Sequence, residues 1–235
     1  MTRSKPYHRR KNACYTRNVQ IDWGGLRRME PVSREFGYDR GTPVDRYYIE
    51  RFLGHNASAV RGRVLEIGDD TYTRQFGGDR PTRRDVFHAH AMNPYATIVG
   101  DLATADTVPS DSFDCAIVTQ TLQVVFEPMA ALRTLHRILR PGGVLLGTVP
   151  VLTVISSDSD EWSEGWYWSF TPALLSKMVT EVFAPGACSV DVQGNVLASV
   201  CSLQGLAAED VGVAALTAPD PDFPVLITFR CEKAN

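Results

Sequence analysis

The chain has 235 residues, with 24 Lys and Arg against 27 Asp and Glu for a net charge of −3, and it is 44% apolar and 22% charged. That length supports one or two domains with a sizeable core, and the composition excludes disordered, collagenous and coiled-coil classes. The longest mostly apolar run, residues 142–155, is interrupted by Pro150 and falls short of the roughly 20 residues that a membrane span needs.

Charge is uneven. Residues 1–19 hold six basic side chains (Arg3, Lys5, Arg9, Arg10, Lys11, Arg17) and no acid, and the remaining 18 basic and 27 acidic residues leave the rest at −9. A basic arm suits an acidic partner, whereas an acidic body opposes the phosphate neutralisation on which nucleic-acid affinity rests. The arm is therefore expected to be solvated or to contact another protein, with no nucleic acid and no membrane as partners. The residues after Met1 do not develop an apolar stretch, so no secretory leader is expected. Five cysteines, at 14, 115, 188, 201 and 231, contain no CxxC pair, so neither a disulfide framework nor a zinc ribbon is expected. The expected compartment is the cytosol.

In chain order, residues 21–39 mix Trp, Gly, Arg and Pro without a period and read as loops. Gly41-Thr42-Pro43 reads as a turn that opens a helix with Val44, Tyr47, Tyr48, Arg51 and Phe52 at helical spacing and Gly54 as its C-cap. Short apolar runs at 63–68, 85–89, 96–100, 113–119 and 143–149 predict strands. Between the last two, residues 129–139 place Leu132, Leu135, Ile138 and Leu139 on one helical face, ended by Pro141-Gly142-Gly143, with His136 read as a surface residue. A helix over 172–183 and two strands near 189–192 and 225–231 close the chain, the last two as an antiparallel edge. Strands alternating with helices predict an α/β doubly wound sheet with helices on both faces.

Ligands of such sheets collect at the carboxyl ends of the central strands. Glu66, Ile67, Gly68 and Asp69 end the first strand, Asp101 and Leu102 follow the third, and Thr119, Gln120 and Thr121 end the fourth. The runs Arg63-Val-Leu-Glu-Ile-Gly-Asp69, Gly100-Asp101-Leu102, Asp111 to Gln120 and Leu139-Arg-Pro-Gly-Gly143 resemble the motifs of class I S-adenosylmethionine-dependent methyltransferases over roughly residues 60 to 182. The resemblance implies a seven-stranded mixed sheet of order 3-2-1-4-5-7-6 with strand 7 antiparallel, and S-adenosylmethionine as cofactor. It divides the chain into an N-terminal arm, 1–42, and a methyltransferase domain, 43–235, with an acceptor loop at 151–170.

Carried over by residue, the resemblance makes Gly68 the close-approach glycine beside the methionine part of the cofactor, supported by Glu66 and Ile67, with Asp69 near its amino group. Asp101 then accepts from the adenine amino group, with Leu102 against the ring. Thr119, Gln120 and Thr121 face the sulfonium, and Arg40, Arg46 and Tyr47 belong to a lid helix from which one arginine meets the cofactor carboxylate. The sequence departs from the family in two places. The glycine-rich loop is reduced to Gly68-Asp-Asp-Thr-Tyr72, and His88-Ala-His90 stands where an acid commonly grips the ribose. His90 is expected to replace that acid. The alternation of His88 and His90 on a strand points both rings to one side, yet no third ligand is adjacent and no metal is expected.

The segment after the fifth strand commonly supplies part of the acceptor site in this family. Here it carries Asp158, Asp160, Glu161, Trp162, Glu164, Trp166 and Tyr167, and no Lys or Arg occurs from 151 to 176. Carboxylates with aromatic faces suit a cationic amino sugar, since the former hold ammonium groups and the latter stack on sugar faces. The alternative for these aromatics is plain packing of the loop onto the core. The resulting expectation is an N-methyltransferase similar in outline to those of aminoglycoside antibiotics, with Glu127, Asp160, Glu161 or His90 as proton acceptor. An O-methyltransferase of another sugar or natural product is a second reading, and a non-catalytic module docking partners through its arm is a third.

Overall fold

The structure, a computed structural model, describes residues 24–155 and 165–235. It divides into two units, Met1–Glu30 and Pro31–Asn235. In the first, Gly24–Arg27 forms a 3-10 turn. All other elements belong to the second unit.

Its sheet has seven strands: β1 (Gly62–Ile67), β2 (Pro81–His88), β3 (Ile98–Val99), β4 (Phe113–Thr119), β5 (Leu139–Pro150), β6 (Cys188–Gln193) and β7 (Leu226–Glu232), in the spatial order β3-β2-β1-β4-β5-β7-β6. The first five pair in parallel, and β7 runs antiparallel between β5 and β6. This is the α/β architecture expected, in the order expected. Alternate residues of β1, β4 and β5 feed two cores because successive side chains leave a strand on opposite faces. Leu65, Phe113, Val118 and Leu145 join one core with helices α3 (Pro128–Ile138) and α4 (Pro172–Val182). Val64, Cys115, Ile117 and Leu146 join the other with α1 (Val44–His55) and α5 (Val196–Leu203).

Local chemistry sets the element ends. Pro128 opens α3 and Pro172 opens α4, whose N-cap Thr171 accepts the Leu174 N–H. Glycine is required at Gly147, where an added Cβ would run into the ring of its β7 partner Phe229. The short α2 (Thr71–Gly77) follows β1, and between β6 and β7 the chain adds α5, α6 (Ala208–Val211) and α7 (Val213–Leu216).

Four sequence expectations are corrected. Gly54 lies inside α1, which continues to His55 and is followed by Asn56, and Arg51 is exposed while Val44, Tyr48, Ile49 and Leu53 form the buried face. No loop separates α3 from β5: the strand starts at Leu139 and takes up Pro141, Gly142 and Gly143, which the sequence pattern marks as a turn. His136 is half-buried, edge-on to Phe183 at 4.9 Å, and burial lowers its pKa, assisted by Lys233. Finally, Cys188 and Cys231 form a disulfide between register partners of β6 and β7. Two residues that are 43 positions apart meet because the antiparallel pairing places them opposite each other.

Residues 31–42 lie in the second unit. Val32 and Ser33 donate to the Gln204 carbonyl, and Thr42 is held by Glu209 through its backbone N–H and its hydroxyl. No helix among the described residues is long and apolar enough to cross a membrane.

Candidate functional site

Parallel pairing brings the ends of β1, β2 and β4 to one edge of the sheet, so residues that follow Ile67, His88 and Thr119 become neighbours. Glu66 is the buried centre of the first turn. Its carboxylate oxygens accept the backbone N–H groups of Tyr72 (3.0 Å) and Thr73 (2.7 Å), which ties β1 to the start of α2. Burial pushes its pKa up to about 7, against the bonds from Thr73 and Tyr72 that favour the charged form. Gly68 sits at φ +96°, a left-handed conformation in which glycine alone is at ease. Its N–H donates to the Phe87 carbonyl and its own carbonyl accepts from Asn93 Nδ2 at 2.6 Å. Asp69 is exposed and accepts from the Thr71 N–H.

The lid residues separate. Arg40 is already paired: its guanidinium makes two 2.8 Å bonds to Asp210 of α6. Arg46 stays beside the first loop, donating to the Tyr38 hydroxyl at 2.8 Å and the Tyr72 hydroxyl at 3.4 Å. Burial works against its charge, but Asp45, Tyr72 and Tyr38 outweigh it and keep the guanidinium protonated. Tyr47 is half-buried, edge-on to Tyr48.

On the β2 side, the strand ends at His88, which is buried, and the chain then bends, so the two imidazoles do not project in strand alternation. His88 Nδ1 accepts the His90 N–H at 3.0 Å, and the rings meet at 6.0 Å with an edge-on tilt. His90 itself is exposed. Among the described residues no three His, Cys, Asp or Glu side chains are grouped to hold a metal ion. Asp101 is exposed and spends one oxygen on the Ala103 N–H (2.8 Å). Leu102 packs into the α3–α4 core, with Leu65 and Phe87.

At β4, Gln120 holds φ +48°, a conformation that costs a non-glycine residue about 1 kcal/mol or more. It is fixed there by its N–H to the Thr148 carbonyl and by Gln123 Nε2, which donates to its side-chain oxygen at 3.2 Å. The Thr121 hydroxyl donates to the Thr119 carbonyl. The carbonyl of buried Gln123 accepts the N–H groups of Tyr167 and Trp168, so the segment from 165 straps over the β4 end. The Trp168 indole donates to Val125 and Phe126 carbonyls, and Phe126 meets Tyr167 edge-to-face at 5.3 Å, which leaves an exposed aromatic shelf beside Glu127, the exposed residue before α3. Trp166 is half-buried. Asp158, Asp160, Glu161, Trp162 and Glu164 lie outside the described residues.

Sequence reading missed Asn93, Gln123 and Phe126. Asn93 precedes Pro94, a turn signal, and Gln123 stands three residues after Gln120; neither pattern specifies a partner. A cavity of about 600 Å³ lies at the other, amino-terminal end of the sheet, with Asp114 and Glu232 on its walls already paired to Arg140 and Arg230.

Residues 75–147 match the family described as a methyltransferase domain. Three solved structures share the architecture: a S-adenosylmethionine-dependent methyltransferase from Archaeoglobus fulgidus (10% identity, 80% of this chain and 94% of that one, TM-score 0.51), the plantazolicin methyltransferase BamL (12%, 87% and 90%, 0.52) and the 4+2 cyclase SpnF (18%, 83% and 83%, 0.53). The chain has the fold of a class I S-adenosylmethionine-dependent methyltransferase. S-adenosylmethionine is the cofactor that goes with this fold and domain, and the residues present are compatible with it: the turn after β1 carries no side chain at Gly68, and Arg46 reaches Tyr72 at the start of α2, which follows that turn. No curated protein sequence matches the chain.

Proposed function

We propose that this methyltransferase-fold chain methylates an amine of a small cationic acceptor of the amino-sugar type. The observation that supports the cofactor half of this reading is the clasp of Glu66, Gly68 and Asn93, which fixes the first turn at the junction of β1 and β2. Support for the acceptor half comes from the sequence, where residues 151–176 carry four acids and three tryptophans without one Lys or Arg.

In this reading Gly68 approaches the methionine part, Arg46 takes its carboxylate, and Asp101 offers its second oxygen to the adenine amino group. His90 serves the ribose through a single hydrogen bond. Bound there, S-adenosylmethionine supplies an electrophilic methyl group. The chain's own contribution is position: the strap from 165 and the Phe126–Tyr167 shelf hold the acceptor against the β4 end. Glu127, beside that shelf, takes the proton that leaves the nucleophile, with Asp160 and Glu161 on the acceptor loop as further acceptors.

Mass spectrometry of aminoglycosides and neutral glycosides incubated with S-adenosylmethionine and the protein tests the reading. A one-methyl gain confined to aminated sugars supports it. Gain on neutral glycosides alone favours O-methylation, and no gain on any member with cofactor binding intact refutes the acceptor assignment.

A further inference from the structure

Arg46 is a half-buried guanidinium whose hydrogen-bond partners are neutral. Its Nε donates to the Tyr38 hydroxyl at 2.8 Å and its Nη1 to the Tyr72 hydroxyl at 3.4 Å, and among the described residues Nη2 donates to none. The carboxylate beside it, Asp45, stays 3.9 Å from Nε and turns one oxygen to the Arg46 backbone N–H at 2.8 Å. A charge taken partly out of water calls for a close counter-ion, and the planar fork of a guanidinium suits a carboxylate. Each phenol oxygen accepts from Arg46, so its own hydrogen, which turns about the C–O bond, is left to donate. Neither hydroxyl donates to a described residue. Solvent reaches the cluster, since Tyr38 is 60% exposed and the Arg46 side chain 27%.

Both phenols are held in place. Tyr38 lies in the segment 31–43, which is fastened to residues 204–210 on both sides of it: Val32 and Ser33 on the Gln204 carbonyl before, Arg40 on Asp210 and Thr42 on Glu209 after. At Gly37, φ +99°, the two runs approach so closely that an added Cβ would stand 2.8 Å from the Leu206 carbonyl oxygen. Tyr72 is fixed by its N–H to Glu66 at 3.0 Å, which ties the cluster to the turn that holds Gly68. We propose that Tyr38 and Tyr72 are specificity-determining residues that, with Arg46, direct three donors at one ligand carboxylate, that of the amino-acid end of the cofactor. The class selected is a nucleoside thioether or sulfonium that keeps its amino-acid carboxylate, against one that has lost it. The segment 31–43 thereby acquires a role, to present Tyr38. The proposal rests on the cofactor reading above.

Two probes separate the carboxylate from the rest of the ligand: S-adenosylhomocysteine, and its decarboxylated analogue, which keeps adenine, ribose, sulfur and amine. Calorimetry on the full chain is expected to show the wild type preferring S-adenosylhomocysteine by at least about tenfold, the worth of one hydrogen bond to a charged group. Tyr38→Phe and Tyr72→Phe keep the rings, the second with its packing on Phe76. Each is expected to weaken S-adenosylhomocysteine about tenfold and to leave the decarboxylated analogue unchanged. A purely structural role would weaken both ligands alike, and that result, or no change in either variant, overturns the proposal. Equal affinities of the two ligands for the wild type overturn the proposal and leave the cofactor reading standing. A wild type that binds neither ligand refutes the cofactor reading and the proposal with it.

Discussion

Glu66 makes the protein's stability depend on pH in a direction opposite to that of an ordinary paired carboxylate. Its folded pKa is raised from 4.5 to about 7, with burial the first cause. The folded state therefore binds a proton that the unfolded chain releases, and the stability this contributes is full below about pH 4.5 and lost as pH rises through 7. Between about pH 5 and pH 8 the loss is about 2.5 kcal/mol, because each pH unit over which only the unfolded chain has given up the proton costs about 1.36 kcal/mol. Glu66→Gln cannot ionise and keeps one oxygen for the N–H groups of Tyr72 or Thr73, so any constant cost of the substitution is the same at both pH values. Urea unfolding followed by tryptophan fluorescence, for both proteins at about pH 5 and pH 8, isolates the effect because all other titrating groups cancel. The wild type is expected to lose about 2.5 kcal/mol relative to Glu66→Gln on going to pH 8. An offset that is the same at both pH values, or one that moves the other way, would show that the carboxyl ionises in the fold as it does in the open chain.

Three further outcomes follow from packing and pairing. Gly147→Ala drives a methyl group into the Phe229 ring and is expected to lower stability by about 3 kcal/mol, read as a drop in Tm; a change near zero would mean that β7 shifts freely. Replacing Cys188 and Cys231 together by Ser opens a cross-link between residues 43 apart and is expected to cost about 3 kcal/mol in urea, a difference that disappears when both proteins are measured under a reductant. Asp85 is buried with Arg63 at 2.7 Å and Arg83 at 3.0 Å; burial raises its pKa but the two guanidiniums prevail and hold it below 3.8. Its stabilisation is present above that pH and fades as pH falls through the depressed value, so Asp85→Asn should cost about 2 kcal/mol at pH 7 and progressively less in acid, and a cost independent of pH would sink this assignment.

Much of the carboxyl edge of the sheet was legible in the sequence because it depends on short-range rules. A glycine that follows an apolar strand, an acid two residues before it and a Gly-Asp-Leu after a third strand each lie within a few residues of their own strand, and each strand pattern of β1 and β4 is set by its own residues. The lid was legible only in part. Arg40 and Arg46 are equivalent in the sequence, six residues apart, yet one is drawn to Asp210, which lies 170 positions away, and the other to Tyr38 and Tyr72. Which carboxylate an arginine meets is a property of the packed chain, since any of 27 acids competes for it.

The strand and helix periods and the residues stationed at the carboxyl ends of β1, β3 and β4 were readable from the chain, and the order of the sheet followed from the resemblance of its motifs to those of methyltransferases. The periods and the stations are decided by local propensity and by side-chain period, which a linear chain displays; the order is not. Only the packed chain shows the Cys188–Cys231 bond, the half-burial of His136 against Phe183, the burial of Leu102, the clasp of Asn93 on Gly68, and the meeting of Gln123 with the strap at Tyr167. Each of these joins segments whose separation in sequence is bridged only when the parallel crossovers and the antiparallel β7 bring their ends to one place, and no local pattern encodes which partner waits there.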